Sequence, residues 1–432
     1  MPASILFLVT NEAAERFSYY GMRAILVVFM TEYLLNGDGA PDLMGEAEAR
    51  SYFHLFASAV YFFPIVGALI ADVFWGKFRT IVVLSIVYCL GHLALAVDHT
   101  RMGLAIGLTL IAIGSGGIKP CVSANLGDQF GSANGHLLSK GFYWFYFAIN
   151  LGAGISTLLT PWLLHHVGPH VAFGVPGLLM LLATWVFWIG RWQYVHIPPK
   201  GISFFRELMA PESLRAIRRL TPIFIFSAFF WSLYDQTGSA WVFQAKHMDR
   251  HWMGIEWLPS QIQVVNPFLI MVLIPIFSYG IYPFLSKVYP LTPLRKIGIG
   301  FFVTVLAFLI SAQIEIQIAE GLRPNIVWQL LAFVVITAAE VMVSITCLEF
   351  SYTQAPRALK SVVMALFLLS VSLGNAFTSL VNVFIQKDDG SLVLEGAAYY
   401  WFFAGVMFAG SVLFIWVAQR YRGKTYLQGE GT

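Results

Sequence analysis

The sequence predicts an all-α membrane protein of twelve transmembrane helices arranged as two six-helix bundles. Three observations predict it. First, the 432 residues are 58% hydrophobic and only 11% charged, with a mean hydropathy of +0.72. Soluble domains carry about a quarter charged residues, so polar surface is too scarce here to cover a water-soluble particle. Second, apolar segments of about 20 residues, the length that crosses a bilayer, recur twelve times. They fall at about 4–34, 51–73, 79–97, 102–121, 138–164, 169–190, 219–244, 261–286, 294–314, 326–350, 360–386 and 396–419. Third, a more polar stretch at 191–218 divides them six and six, giving bundles at 1–190 and 219–432.

The first segment is unusual. In NEAAERFSYYGMRAILVVFMTEYL, Glu12, Glu15, Arg16, Tyr19, Tyr20 and Arg23 follow the offsets 0, +3, +4, +7, +8 and +11. At about 100° per residue they fall within roughly 140° of arc, one continuous stripe. Such a stripe must face a protein or water-filled interior, because each charged group is costly in hydrocarbon. It points to a polar cavity inside a helical bundle, and to a solute that binds there or passes through.

The polar stretch, about 191–219 and so reaching the first residue of the second bundle, holds Arg191, Lys200, Arg206, Arg215, Arg218 and Arg219 with Pro198, Pro199 and Pro211. It reads as a membrane-surface linker with one short amphipathic helix, too short for a further pair of spans. Orientation follows from the loop cations. One set of loops holds the six linker cations with Lys77, Arg79, Lys140, Lys287, Arg295, Lys296, Arg357, Lys360, Arg420, Arg422 and Lys424. The opposite set holds Arg50, Arg101, Lys246, Arg250, Arg323 and Lys387, and most loop acids, among them Asp38, Asp42, Glu46, Glu48, Asp388 and Asp389. The cation-rich side is expected to be cytoplasmic, with both termini on it.

Other functions are disfavoured. Net charge is +3 and the basic residues are not gathered on one soluble module, so no nucleic-acid partner is expected. Cys89, Cys121 and Cys347 lie in different apolar segments and suit neither a metal site nor a disulfide framework. They read as small core residues, and no cofactor is expected. No cleavable signal peptide is expected, because a polar stripe begins at Asn11 and no short apolar core with a small-residue cleavage site precedes it.

After the second span the chain reads GALIADVFWGKFRT, with Gly67, Asp72, Gly76, Lys77 and Arg79. This resembles the loop between helices two and three of the major facilitator superfamily. The acid sits at a helix end, glycine permits a tight turn, and the cations hold the loop on the cytoplasmic side. Two six-helix halves joined by a cytoplasmic linker is that superfamily's arrangement.

Further ionisable groups inside the spans are few. His54 and Lys119 lie in the first half; Asp235, Glu340 and Glu349 lie in the second. Asn150 and Asn266 add uncharged groups that suit either an interhelical clamp or a ligand contact. Arg16, Arg23 and Lys119 against Glu12 and Glu15 leave the first half's set at +1, while Asp235 and Glu340 have no cation in their own spans. If the halves share a cavity, one wall is cationic and the other anionic, which suits a zwitterion with separated ends. Its carboxylate goes to Arg23 and Lys119, because the planar guanidinium can donate two parallel hydrogen bonds. Its ammonium goes to Asp235 and Glu340. A short peptide matches this better than a sugar, a single inorganic ion or a lipophilic cation. Tyr19, Tyr20, Tyr61 and Trp231 suit either adaptable pocket walls or ordinary helix packing.

Glu12, Glu15, Arg16 and Lys119 also suggest a proton switch. A buried carboxylate prefers to be neutral and a nearby cation favours its charged form, so two arrangements are near balance. Protonating a Glu would free Lys119 for the substrate carboxylate or for a gate. A permanent structural ion-pair cluster is the alternative. His54 shares a face with Ser58 and Tyr61; it suits a proton sensor or a hydrogen-bonded packing residue.

These residues resemble the proton-dependent oligopeptide transporter family. NEAAERFSYYGMR matches its ExxERF signature through Glu12, Glu15, Arg16 and Phe17. GGIKP carries its helix-four lysine at Lys119, and FYFAINLGA is similar to its helix-five signature around Asn150. FWSLYDQTGSAW, NPFLI and AAEVMVSITCLEFSYTQAP match helices seven, eight and ten. The resemblance covers nearly the whole chain. It implies proton-driven uptake of di- and tripeptides by alternating access. Proton coupling is assigned to Glu12, Glu15, Arg16 and Lys119, and the peptide carboxylate to Arg23 and Lys119. The amino end goes to Asn150, Asn266 and Glu340, with Asp235 beside Trp231 in or near the site. Tyr19, Tyr20 and Tyr61 would line the pocket.

Three departures from the commonest bacterial pattern are similar to the animal members. Asp235 stands where many bacterial members have Glu, His54 stands at the position of a functional histidine, and the linker lacks an extra helix pair. His54 and Asp235 are therefore carried as further proton-coupling candidates. Phe367, in ALFLLSVSLGN, stands where many relatives have Trp and is kept as a pocket-wall candidate. The alternatives are a carrier for another anion or zwitterion on the same scaffold, a non-transporting receptor, and an intramembrane protease, for which no HExxH stands in the sequence. Short loops point to a bacterial inner membrane. One twelve-helix chain encloses a complete pathway, so a monomer is expected to function.

Overall fold

The computed structural model describes residues 1–130, 134–199, 201, 203–354, 360–386 and 392–422. Lys200, Arg357, Lys387, Asp388, Asp389 and Lys424, used above for orientation, lie outside the described residues, as does the side chain of Lys360. The helices are α1 Ser4–Glu32, α2 Glu46–Trp75, α3 Lys77–Val97, α4 Arg101–Asp128, α5 Leu138–His166 and α6 Pro169–Ile189. The short α7 is Ser203–Leu208. Then come α8 Pro211–Lys246, α9 Pro259–Val288, α10 Pro293–Ala319, α11 Val327–Ser351, α12 Lys360–Phe384 and α13 Ala397–Arg420. A small hairpin pairs β1 His251–Trp252 with β2 Ile255–Glu256.

Among the described residues, 11 helices are long and apolar enough to cross a membrane. α1 makes the twelfth: at 29 residues it is long enough, and only its own Glu12, Glu15, Arg16 and Arg23 set it apart from the others. The chain divides into Met1–Phe204 and Phe205–Thr432, a boundary inside α7. The first unit holds α1–α6 and the second α8–α13.

The same pairing recurs within each unit. In the first, α1 packs on α5 and α6, α3 on α4 and α6, and α2 on α4. In the second, α8 packs on α12 and α13, α10 on α11 and α13, and α9 on α11. Two glycines serve the first–fifth contact alike. A Cβ at Gly152 of α5 would stand 3.0 Å from the Phe17 nitrogen, and one at Gly374 of α12 would stand 2.8 Å from the Ser232 nitrogen. Small residues admit such backbone approach, on which helix association in lipid depends.

Some elements differ from their sequence-based bounds. α4 continues past Pro120 to Asp128, whereas the sequence suggests an end near 121. Proline removes one helical hydrogen bond, and neighbouring helices in a membrane bundle tolerate that loss. α8 starts at Pro211, before the apolar span itself, because proline suits a helix's first turn and needs no donor there. Between α2 and α3 the turn is Gly76 alone, at φ 74°, a conformation glycine adopts freely. Lys77 donates from Nζ to Asp128 Oδ2 at 2.5 Å, tying this turn to the end of α4.

Candidate functional site

Each unit carries its own set of predicted residues. In the first unit, Glu12 and Arg16 lie four residues apart on α1, and Arg16 Nε donates to Glu12 Oε1 at 2.6 Å. Glu15 Oε2 stands 3.1 Å from the same nitrogen, off hydrogen-bond geometry, so both Glu15 oxygens and Glu12 Oε2 lack a hydrogen-bond partner among the described residues. Both carboxylates are buried. Two acids therefore share one guanidinium, an arrangement in which a proton can replace part of the cation's role.

Lys119 reaches this region from α4, and its placement follows from GGIKP. Gly67 on α2 faces the carbonyl of Gly116 and the Cα of Gly117, so α2 and α4 touch backbone to backbone just before the lysine. Pro120 has no N–H to offer the Gly116 carbonyl. The Lys119 ammonium is buried and has no hydrogen-bond acceptor among the described residues. It lies 3.8 Å from the ring centroid of Tyr19 and 4.7 Å from that of Tyr61. Cation–π attraction suits a cation that is partly desolvated. Tyr20 meets Tyr19 edge-on at 5.2 Å.

Further along α1, Arg23 lies 5.3 Å over the Phe53 ring, and buried His54 meets the same ring edge-on at 5.1 Å. Arg23 and His54 thus share Phe53. Asn150 donates from Nδ2 to the Tyr146 carbonyl of its own helix at 2.8 Å. One of its two amide hydrogens is thus used within α5, and an ammonium would meet its Oδ1 instead.

In the second unit both acids sit at backbone irregularities. Asp235 opens a tightened turn, Asp235–Gly238, inside α8. Glu340 immediately precedes Val341–Ile345, where α11 widens to i→i+5 bonding, a feature frequent at functional sites. Asn375 Nδ2 donates to Asp235 Oδ2 at 2.6 Å. Asn266 Nδ2 donates to Glu340 Oε2 at 2.8 Å and to Thr337 Oγ1 at 3.1 Å, while the Tyr234 hydroxyl donates to Asn266 Oδ1 at 3.2 Å. Trp231 packs edge-on against Phe367 at 6.1 Å, and its indole Nε1 is buried without a hydrogen-bond partner among the described residues.

Sequence reasoning missed Asn375, Thr337 and Tyr234. Asn375 is a polar group in an apolar span, the signal that singles out Asn150 and Asn266. Thr337 and Tyr234 stand three residues from Glu340 and Trp231 on shared helix faces, a spacing the sequence does display.

The chain has a multi-pass membrane transporter fold with buried charges in each unit. The sequence pattern of the POT family matches residues 78–210 and 202–402. The chain is 38% identical over 74% of its length to Peptide transporter family 1 of Drosophila melanogaster, covering 48% of that relative. It is 38% identical over 74% of its length to human Solute carrier family 15 member 2, covering 50%. The chain thus spans about half the length of the curated relatives it matches. An auto-inhibited POT family peptide transporter superposes with a TM-score of 0.89 at 34% identity, covering 100% of this chain and 99% of that one. The POT family transporter PepTSo superposes with 0.88 at 34% identity, covering 98% of each. This chain belongs to the POT family.

Proposed function

We propose that the protein is a proton-coupled symporter that imports di- and tripeptides by alternating access. The observation that carries this reading is the buried Lys119 ammonium, held over Tyr19 and Tyr61 without a hydrogen-bond acceptor among the described residues. A carboxylate can take that place: a peptide C-terminus, or Glu12 or Glu15 according to their protonation. Glu12, Glu15, Arg16 and Lys119 form the coupling set, with Asp235 and His54 as further proton-linked groups. Arg23 and Lys119 take the peptide carboxylate. Asn150, Asn266 and Glu340 take the ammonium. Tyr19, Tyr20, Tyr61, Trp231 and Phe367 supply walls with apolar faces for varied side chains. Relatives whose names state peptide transport support this reading.

Bundles at 1–190 and 219–432 joined by a linker at 191–218 belong to the same proposal. So does a bilayer-embedded monomer in a bacterial inner membrane with both termini in the cytoplasm. The test is uptake of labelled di-alanine and tri-alanine into liposomes under an imposed pH gradient, with and without a membrane potential. Accumulation above the outside concentration that depends on the gradient supports symport. Uptake that merely equilibrates overturns it.

A further inference from the structure

A second polar file lies in the first unit, away from the residues assigned above. Along α3, Ser85, Tyr88 and His92 are spaced three and four residues apart, and His99 follows two turns later in the α3–α4 connection. This spacing keeps the first three near one face of the helix. The first three are buried at 1%, 0% and 0% exposure. Ser85 Oγ, Tyr88 OH and both ring nitrogens of His92 lack hydrogen-bond partners among the described residues, as does His99 Nε2. Native proteins rarely leave buried polar atoms unsatisfied, and ordered water is the usual partner where several converge.

The file has two distinct ends. At the inner end, Tyr88 lies within the electrostatic reach of Glu15 and Arg16 on α1. Glu15 is the carboxylate whose oxygens both lack a hydrogen bond. The Tyr88 and His92 rings stand 5.1 Å apart. At the outer end, the His99 and His170 ring centroids are 4.2 Å apart. His170 is exposed and its Nδ1 lies 2.6 Å from the Ala96 carbonyl, one turn beyond His92. This end of the unit is opposite the Lys77–Asp128 turn.

The packing around His92 is specific. Gly177 of α6 faces it so closely that a Cβ there would stand 2.8 Å from His92 Cβ. One residue earlier, Pro176 offers no N–H to the Ala172 carbonyl, which loosens the α6 ladder beside the imidazole. The Phe173 carbonyl is near but off hydrogen-bond geometry. α1 is clamped to this stretch, since Ser18 Oγ donates to the Pro176 carbonyl at 2.5 Å. The charged or titratable groups that face Tyr88 are Glu15 and Arg16 on α1 and Cys89 on α3, and Tyr88 in turn faces His92.

We propose that His92 and Tyr88 line a hydrated proton route through the first unit, from His170 and His99 at its outer end to Glu15. A proton taken up by the outer histidines passes through water to one nitrogen of neutral His92, which releases a proton from its other nitrogen. The Tyr88 hydroxyl accepts that proton as it donates its own, and the Glu15 carboxylate receives it. One proton moves inward and each relay group ends neutral, with His92 in its other tautomer until exchange with water resets it. The route rests on the proton-coupled reading above, and adds an entry path that bypasses the peptide site.

Two liposome measurements test it: di-alanine uptake driven by a pH gradient, and di-alanine counterflow at equal pH. His92→Gln keeps size and hydrogen bonding without titration; Tyr88→Phe removes only the hydroxyl. Each is expected to slow gradient-driven uptake about tenfold or more, as loss of a positioned proton-transfer group does, with counterflow within about twofold of wild type. Wild-type gradient-driven rates in either variant overturn the route, as does equal loss of both activities, which marks a structural role. Should His92→Gln fail to assemble, Tyr88→Phe decides alone. Absence of accumulation by the wild type would instead overturn symport itself, so the two failures are distinguishable.

Discussion

The ammonium of Lys119 stands 3.8 Å from the ring centroid of Tyr19, so a mid-helix cation on α4 rests on an aromatic face of α1. Tyr19 is 1% exposed. The desolvated contact is worth about 2 kcal/mol. Tyr19→Phe keeps the ring face, and Tyr19→Leu removes it. Initial di-alanine uptake should stay near wild type for the first and fall about tenfold for the second. Equal effects of the two would show that the hydroxyl, not the ring, matters.

Glu340 accepts a hydrogen bond from Asn266 at 2.8 Å. Replacing the acid by its amide keeps the size but removes the charge that would meet a peptide ammonium. For Glu340→Gln, the KM for di-alanine should rise about tenfold or more, since a charge-assisted bond is lost. Preference for di-alanine over N-acetyl-di-alanine should shrink with it. An unchanged preference would remove Glu340 from the amino-end site.

Gly152 meets the α1 backbone with no room for a side chain. Gly152→Ala must push α1 from α5, at a cost of about 1–3 kcal/mol for overpacking. A lowered unfolding temperature in detergent is expected, with Gly374→Ala behaving alike at the α8–α12 contact. A variant as stable as wild type would mean that the first–fifth helix contact is softer than its geometry implies.

Burial first, and then the charge of His170, hold the His99 imidazole below its usual value. A depressed histidine favours its neutral form in the folded state. Its contribution is full above the unfolded value of about 6.5 and is lost as pH falls below that, through the folded value. The unfolding temperature should therefore drop between about pH 7.5 and about pH 5, and less so in His99→Gln. An equal drop in both would assign the acid sensitivity elsewhere.

The twelve spans were legible because hydropathy and span length are local properties. The stripe on α1 was legible because its charges follow the 3.6-residue period on one face. Lys119, Asp235 and Glu340 stood out as costly charges in apolar runs. What escaped is relational. Asn375 is one polar residue among several until the fold sets it 2.6 Å from Asp235. Nothing in the sequence of α3 sets Tyr88 and His92 apart, and only burial without hydrogen-bond partners among the described residues distinguishes them. The reach of α4 past Pro120 depends on packing against α2 and α3, which no local signal encodes.

Coupling of proton movement to peptide movement is proposed to rest on Lys119 with Glu12, Glu15 and Arg16. Lys119→Gln tests it most directly, with gradient-driven accumulation and counterflow of di-alanine measured in the same liposome preparation. Accumulation against a gradient should be abolished while part of the counterflow survives. A Lys119→Gln protein that still concentrates di-alanine under the pH gradient would contradict it.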